Sequence, residues 1–214
     1  MTAYDDALSG YIAATFAVED DALHGAREAA VRAGLPAISI KPEEGRFLEL
    51  IARACGARRA VEIGTLGGYS GIWIARGLAL GGRLITLDAS AAHAAVAREA
   101  FARAGLADRV EVIVGDAHRT LDEIAPRGPF DFCFIDAEKT GYGAYLDWAL
   151  ANVRVGGAIA AHNAFRGGDL LDERVRDADT EAVRAVAARF ASEPRLCATI
   201  FPAGDGTLVG IVVA

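Results

Sequence analysis

The chain has 214 residues, 53% of them hydrophobic and 24% charged, which excludes wholesale disorder and favours one domain with extensions over two. Its net charge of −7, with no Lys/Arg run, excludes the basic face that nucleic acids or anionic membranes require. The first forty residues read as two alanine-rich helices, the second starting near Asp20 and Asp21 and stopped by Gly34-Leu35-Pro36. A short extended piece, Ala37 to Ile40, follows. Pro42, Glu43 and Glu44 then open a third helix, where proline suits the first turn and carboxylates suit the positive dipole end. From Arg59 the pattern alternates. Short apolar strands fall at 60–63, 83–87, 110–114, 130–135 and 158–161, with helices at 70–76, 90–104, 119–125 and 142–150 between them. After a helix over 180–190, the stretches 196–201 and 207–213 are joined only by Pro202-Ala203-Gly204-Asp205-Gly206. That link suits a hairpin and predicts one antiparallel strand near the end of a mostly parallel sheet.

Three cysteines, Cys55, Cys133 and Cys197, form no C-x-x-C pair, so they are expected to be small buried hydrophobes and not a disulfide or zinc framework. The start lacks the basic and apolar character of a signal peptide, and no run of ~18 apolar residues is present, so a cytoplasmic location is expected.

Residues able to do chemistry fall at the carboxyl ends of the strands, where open parallel sheets bind ligands. Glu62-Ile63-Gly64-Thr65-Leu66-Gly67-Gly68-Tyr69-Ser70 gives E-x-G-x-x-x-G, not the G-x-G-x-x-G of dinucleotide sites. An acidic entrance opposes a pyrophosphate and accommodates an ammonium-bearing ligand. Asp88 ends the next strand, where an acidic side chain can accept from ribose hydroxyls, and Asp116-Ala117 follows the third, where an adenine edge can lie. Together they describe a pocket for a nucleoside with a cationic amino-acid tail. S-adenosylmethionine fits it and NAD fits less well.

On these segments the chain resembles the class I S-adenosylmethionine-dependent methyltransferases, and more narrowly the cation-dependent O-methyltransferases of the catechol and caffeoyl-CoA type. The resemblance runs from about Ile38 to the C-terminus, through Val61-Glu62-Ile63-Gly64-Thr65, Gly68-Tyr69-Ser70, Phe134-Ile135-Asp136-Ala137-Glu138-Lys139, Tyr142, Gly167-Gly168-Asp169 and Gly204-Asp205-Gly206. It implies an α/β, Rossmann-like, seven-stranded, mostly parallel sheet with the last strand antiparallel and helices on both faces. Residues 42–214 form the cofactor-binding core of this single domain, and 1–41 an N-terminal helical cap. By position, Ile40, Glu62, Gly64, Gly68 and Ser70 would surround the methionine part, Asp88 the ribose, and Asp116 and Ala117 the adenine, with Asp136 also beside the cofactor. Asp136 and Asn163 would be metal ligands and Lys139 the base.

One position departs from the resemblance. The family ends its fifth strand in Asp-Asn, both metal ligands; here His162 precedes Asn163. A set of Asp136, His162 and Asn163 would hold Mg²⁺ less well than Mn²⁺ or softer ions, because magnesium prefers charged oxygen ligands. Metal-free chemistry with His162 as base is the other option. Lys139 is one of only two lysines, with Lys41, in a chain that otherwise uses arginine, and a base must be able to release its proton. Tyr142 reads as packing or as pocket lining, and His24, His93 and His118 read as structural. The resulting expectation is an O-methyltransferase for a small hydroxylated aromatic, catechol-like acceptor, assisted by a divalent metal (Mg or Mn) and forming a homodimer. The alternatives are a non-catalytic or metal-independent S-adenosylmethionine-binding protein, and a nicotinamide oxidoreductase lacking its fingerprint.

Overall fold

The computed structural model describes residues 4–214. Seven strands form one sheet: β1 (Arg59–Ile63), β2 (Arg83–Asp88), β3 (Val110–Val114), β4 (Phe130–Ile135), β5 (Val153–Ala161), β6 (Leu196–Phe201) and β7 (Thr207–Val212). Their order is β3-β2-β1-β4-β5-β7-β6. Strands β1 to β5 pair in parallel, whereas β7 runs antiparallel to both β5 and β6. The Pro202–Gly206 link therefore makes the predicted hairpin, with Gly204 and Gly206 supplying its positive φ values.

Alternation along each strand divides the core into two layers. Ala60, Leu84, Phe132, Phe134, Ala158 and Ala160 face one side, packing with Leu48, Trp73 and Phe101. Val61, Ile63, Ile85, Leu87, Cys133, Ile135, Ile159 and Ala161 face the other, packing with Leu121, Tyr142, Tyr145 and Phe190. The first layer is covered by α2 (Asp21–Arg32), α3 (Pro42–Ala54), α4 (Tyr69–Gly77) and α5 (Ala91–Arg103). The second is covered by α6 (Ala117–Ile124), α7 (Tyr142–Asn152) and α8 (Ala178–Ser192). The central strands are thus apolar on both faces, as parallel sheets require.

The N-terminal helix α1 (Asp6–Phe16) is capped by Asp5 and tied to α3 by a hydrogen bond from Tyr4 to Glu43, 2.8 Å long. Helix α2 is capped by Asp20, and its Arg27 donates to the Ile40 carbonyl at 3.0 Å and the Tyr69 hydroxyl at 3.1 Å. Those contacts hold the Ile38–Ile40 segment, which is extended but joins no sheet ladder. No helix among the described residues is long and apolar enough to cross a membrane.

Two expectations are corrected. Strand β5 begins at Val153, ahead of Gly156-Gly157, because the pairing with β4 shifts register between Phe130 and Phe132 and continues through the glycines. Cys133 is buried as expected, but Cys55 is only half-buried and Cys197 is exposed, because its side chain lies on the outward face of β6.

Candidate active site

The turn after β1 is shaped by backbone geometry that few residues allow. Gly64 has φ +102°, and a Cβ there would collide with the Asp136 carbonyl. Leu66 also has positive φ, at +45°. Asp88 holds this loop: its Oδ2 accepts from Thr65 N at 3.2 Å and Leu66 N at 2.9 Å, while its Oδ1 accepts from Ser90 N at 2.8 Å. Beside the loop lies a cavity of about 710 Å³ lined by Ile40, Gly64, Ser70, Asp88, Asp116, Ala117, Asp136, Lys139 and Asn163 among others. It lies across the carboxyl ends of the strands, as the topology of open sheets favours.

Two residues expected at the cofactor do not line this cavity. Gly68 instead starts α4 with φ +83°, packed against Ala97 and Phe101. Glu62 is fully buried behind Ser70, whose Oγ donates to it at 2.6 Å, as does Thr86 Oγ1 at 2.6 Å. Burial pushes its pKa up from 4.5 to about 7, against the opposing hydrogen bonds of Ser70 and Thr86. The folded chain therefore holds this proton where the unfolded chain has released it. Stability should fall by about 3 kcal/mol as pH rises from ~4.5 to ~7, and Glu62→Gln should remove that share of the slope. Thermal unfolding of both proteins across that pH range checks this; identical slopes would refute it.

Lys139 lies at the carboxyl end of β4. Its Nζ donates to Asp136 Oδ1 at 3.1 Å and the Ala137 carbonyl at 3.0 Å, and is 2.7 Å from the Tyr142 hydroxyl. Tyr142 is buried, so it positions Lys139 and does not line the pocket. Burial raises the Tyr142 pKa, which keeps the phenol protonated. Tyr145 lines the cavity instead, its hydroxyl donating to Glu138 and its ring stacked on His118 at 4.9 Å.

The structure brings Asp136, His162 and Asn163 to adjacent strand ends, but with other partners than a cation. His162 Nε2 is 2.8 Å from Glu44 Oε1, and its Nδ1 is 3.4 Å from Asp136 Oδ2. Asn163 Nδ2 donates to Asp205 Oδ2 at 2.8 Å. No group of three His, Cys, Asp or Glu side chains able to hold a metal occurs among the described residues. Burial alone would lower the His162 pKa, but the hydrogen bonds and charges of Asp136 and Glu44 outweigh it and push it up to about 10. Burial would likewise raise the Asp136 pKa, and His162 and Lys139 instead hold it below the ordinary value. As arranged, these residues do not fit a divalent cation.

Two residues join the site without having been expected there. Glu44, at the start of α3, is buried against His162, 118 positions away in sequence, and accepts from Lys41 N at 2.9 Å. A Cβ on Gly204 would strike its carboxyl group, so the hairpin turn closes around it. His93 lines the cavity with Nδ1 3.2 Å from Asp88; its position one turn into α5, after the Ser90 cap, was the available signal.

A family model described as O-methyltransferase matches residues 13–211. The catechol O-methyltransferase of Mycobacterium tuberculosis is 45% identical over 192 residues, covering 90% of this chain and 86% of that protein. The catechol O-methyltransferase of Niastella koreensis is 42% identical over 197 residues, covering 91% and 89%. The O-methyltransferase of Bacillus cereus, solved in complex with SAH, superposes with a TM-score of 0.90 at 40% identity, over 96% of this chain and 97% of that one. With the sheet order, the glycine loop and the match across nearly the whole length in agreement, the chain belongs to the class I S-adenosylmethionine-dependent O-methyltransferases.

Proposed function

We propose that the chain moves the methyl group of S-adenosylmethionine onto a hydroxyl of a small catechol-like aromatic acceptor, with Lys139 taking the acceptor's proton. The observation that carries this reading is the placement of Lys139 in the cavity beside Asp136, held from three sides. The names of the relatives at 42% and 45% identity support the acceptor class.

The cradle fits the cofactor. The Gly64 backbone lies where no side chain is tolerated, and Asp88 and Asp116 line the same cavity. In this reading Ile40 and Ser70 flank the methionine part, with Glu62 behind Ser70; Asp88 takes a ribose hydroxyl, and Asp116 and Ala117 border the adenine. S-adenosylmethionine supplies, when bound, a methyl group already activated on a sulfonium centre. The chain's own work is then to align the acceptor oxygen and remove its proton, so that the C–O bond forms as the C–S bond breaks. Lys139 is suited to both states of that exchange. Its ammonium form uses three N–H donors on Asp136, Ala137 and Tyr142, whereas its amine form keeps two N–H donors on these partners and has a lone pair free for the acceptor's proton, the Tyr142 hydroxyl donating to the His162 carbonyl.

Incubation with S-adenosylmethionine and a panel of catechols should give singly methylated products and S-adenosylhomocysteine, detected by mass spectrometry. Failure to bind either sulfur nucleoside in calorimetry would defeat this reading. Binding without turnover on any hydroxylated aromatic would favour the non-catalytic alternative.

A further inference from the structure

Resting on that reading, we infer that the reaction centre works without a divalent cation: His162 stands between Glu44 and Asp136 where a second carboxylate ligand is expected, and the other candidate ligands are already paired. Four ionisable side chains from three parts of the fold meet here: Glu44 from α3, His162 from the end of β5, and Asp136 and Lys139 from the segment after β4. Each carboxylate already has a nitrogen partner, Glu44 the His162 ring and Asp136 both that ring and the Lys139 side chain.

The hydrogen-bonding inventory points the same way. An ionised carboxylate only accepts, so the His162 nitrogen 2.8 Å from Glu44 donates to it and has no lone pair to offer a cation. Both oxygens of Asp136 are engaged, Oδ1 by Lys139 and Oδ2 by His162. Glu44 is buried beneath the imidazole, closed in by the Gly204 turn and absent from the cavity lining, so it cannot serve a cation bound there. The Asn163 amide nitrogen is already turned to Asp205. A magnesium ion would have to displace these partners and would meet a single carboxylate, a poor set for an ion that favours charged oxygens.

Direct metal binding tests this without relying on turnover. The full chain, stripped with EDTA, dialysed and loaded with S-adenosylhomocysteine, is titrated with Mg²⁺, Mn²⁺ and Zn²⁺ by calorimetry, and with Mn²⁺ by electron paramagnetic resonance. No saturable binding tighter than about millimolar is expected. His162→Asp removes the imidazole and places a second carboxylate beside Asp136. It should bind Mg²⁺ at least roughly 100-fold more tightly than the wild type, and its melting temperature should rise on adding Mg²⁺ while that of the wild type stays fixed. Micromolar, saturable binding by the wild type that is lost in Asp136→Ala would overturn the proposal. If His162→Asp does not fold, the wild-type titration decides alone. The two readings fail separately: a wild type that binds no metal and methylates no catechol sinks the proposed function only, and one that binds metal and methylates catechol sinks this inference only.

Discussion

Replacing Lys139 with arginine is expected to lower kcat by roughly 10²–10⁴, the usual cost of losing a general base, while the affinity for S-adenosylhomocysteine changes little. Arginine keeps the positive charge that Asp136 pairs with, so the ion pair at 3.1 Å is not the variable under test. What changes is the capacity to give up and take a proton, which a guanidinium lacks at any pH a protein survives. The surroundings sharpen the contrast. The Tyr142 hydroxyl lies 2.7 Å from Nζ and donates to the His162 carbonyl at 3.3 Å, so its oxygen accepts from Nζ and leaves the amine lone pair free. A planar guanidinium in that buried corner would have to splay against Tyr142, so a lowered melting temperature should accompany the kinetic loss. Lys139→Met separates the two effects, because it removes the proton acceptor without adding bulk. Both variants should lose rate with retained cofactor binding, read as single-turnover methyl transfer beside a calorimetric titration. Near-wild-type turnover by the arginine protein would take Lys139 out of the mechanism.

What could be read in advance follows from how locally each feature is encoded. The strand ends were legible because each coincides with a short-range signal: Gly64 must be glycine beneath the Asp136 carbonyl, Asp88 follows an apolar run, and Ser90 caps the next helix. The hairpin between β6 and β7 was legible from its two positive-φ glycines. The start of β5 was not, since Gly156-Gly157 looks like a turn and only the shifted pairing with β4 shows that the strand passes through it. Glu62 carried a strong motif but its depth did not show; the motif marks the carboxylate behind Ser70, not a cavity-lining group. Glu44 was the hardest. In sequence it is one more acidic residue in the first turn of a helix, and its meaning comes from His162, which the fold brings to it across 118 positions. The histidine thus appeared as a substitute ligand when read with its neighbours in sequence, and as half of a buried ion pair once its neighbours in space are known.

Removing the Asp88 carboxylate should weaken S-adenosylhomocysteine binding roughly 10- to 150-fold, or about 1.5–3 kcal/mol, as for lost hydrogen bonds to a charged group. A carboxylate offers about four lone-pair positions, and backbone N–H groups of Thr65, Leu66 and Ser90 occupy three of them here. One acceptor position is left for the ribose, with His93 Nδ1 3.3 Å from Oδ2 beside it. Asp88→Ala therefore takes away the clamp on the glycine loop and, in the proposed site, the ribose contact in one step. The clamp matters because Leu66 is held at φ +45°, a conformation that costs a branched side chain energy unless its surroundings fix it. Amide hydrogen exchange at Thr65 and Leu66 should accelerate in the alanine variant even without ligand. Asp88→Asn should fall between the two proteins, because one carbonyl oxygen can still serve the loop while the amide NH₂ faces donors it cannot satisfy. On the proposed ribose contact, adenosine alone should lose affinity by a similar factor, which a contact to the methionine tail would not produce. Unchanged affinity in Asp88→Ala would remove Asp88 from the ribose site. Weakened affinity with unchanged exchange would remove it from the loop and leave it at the ligand.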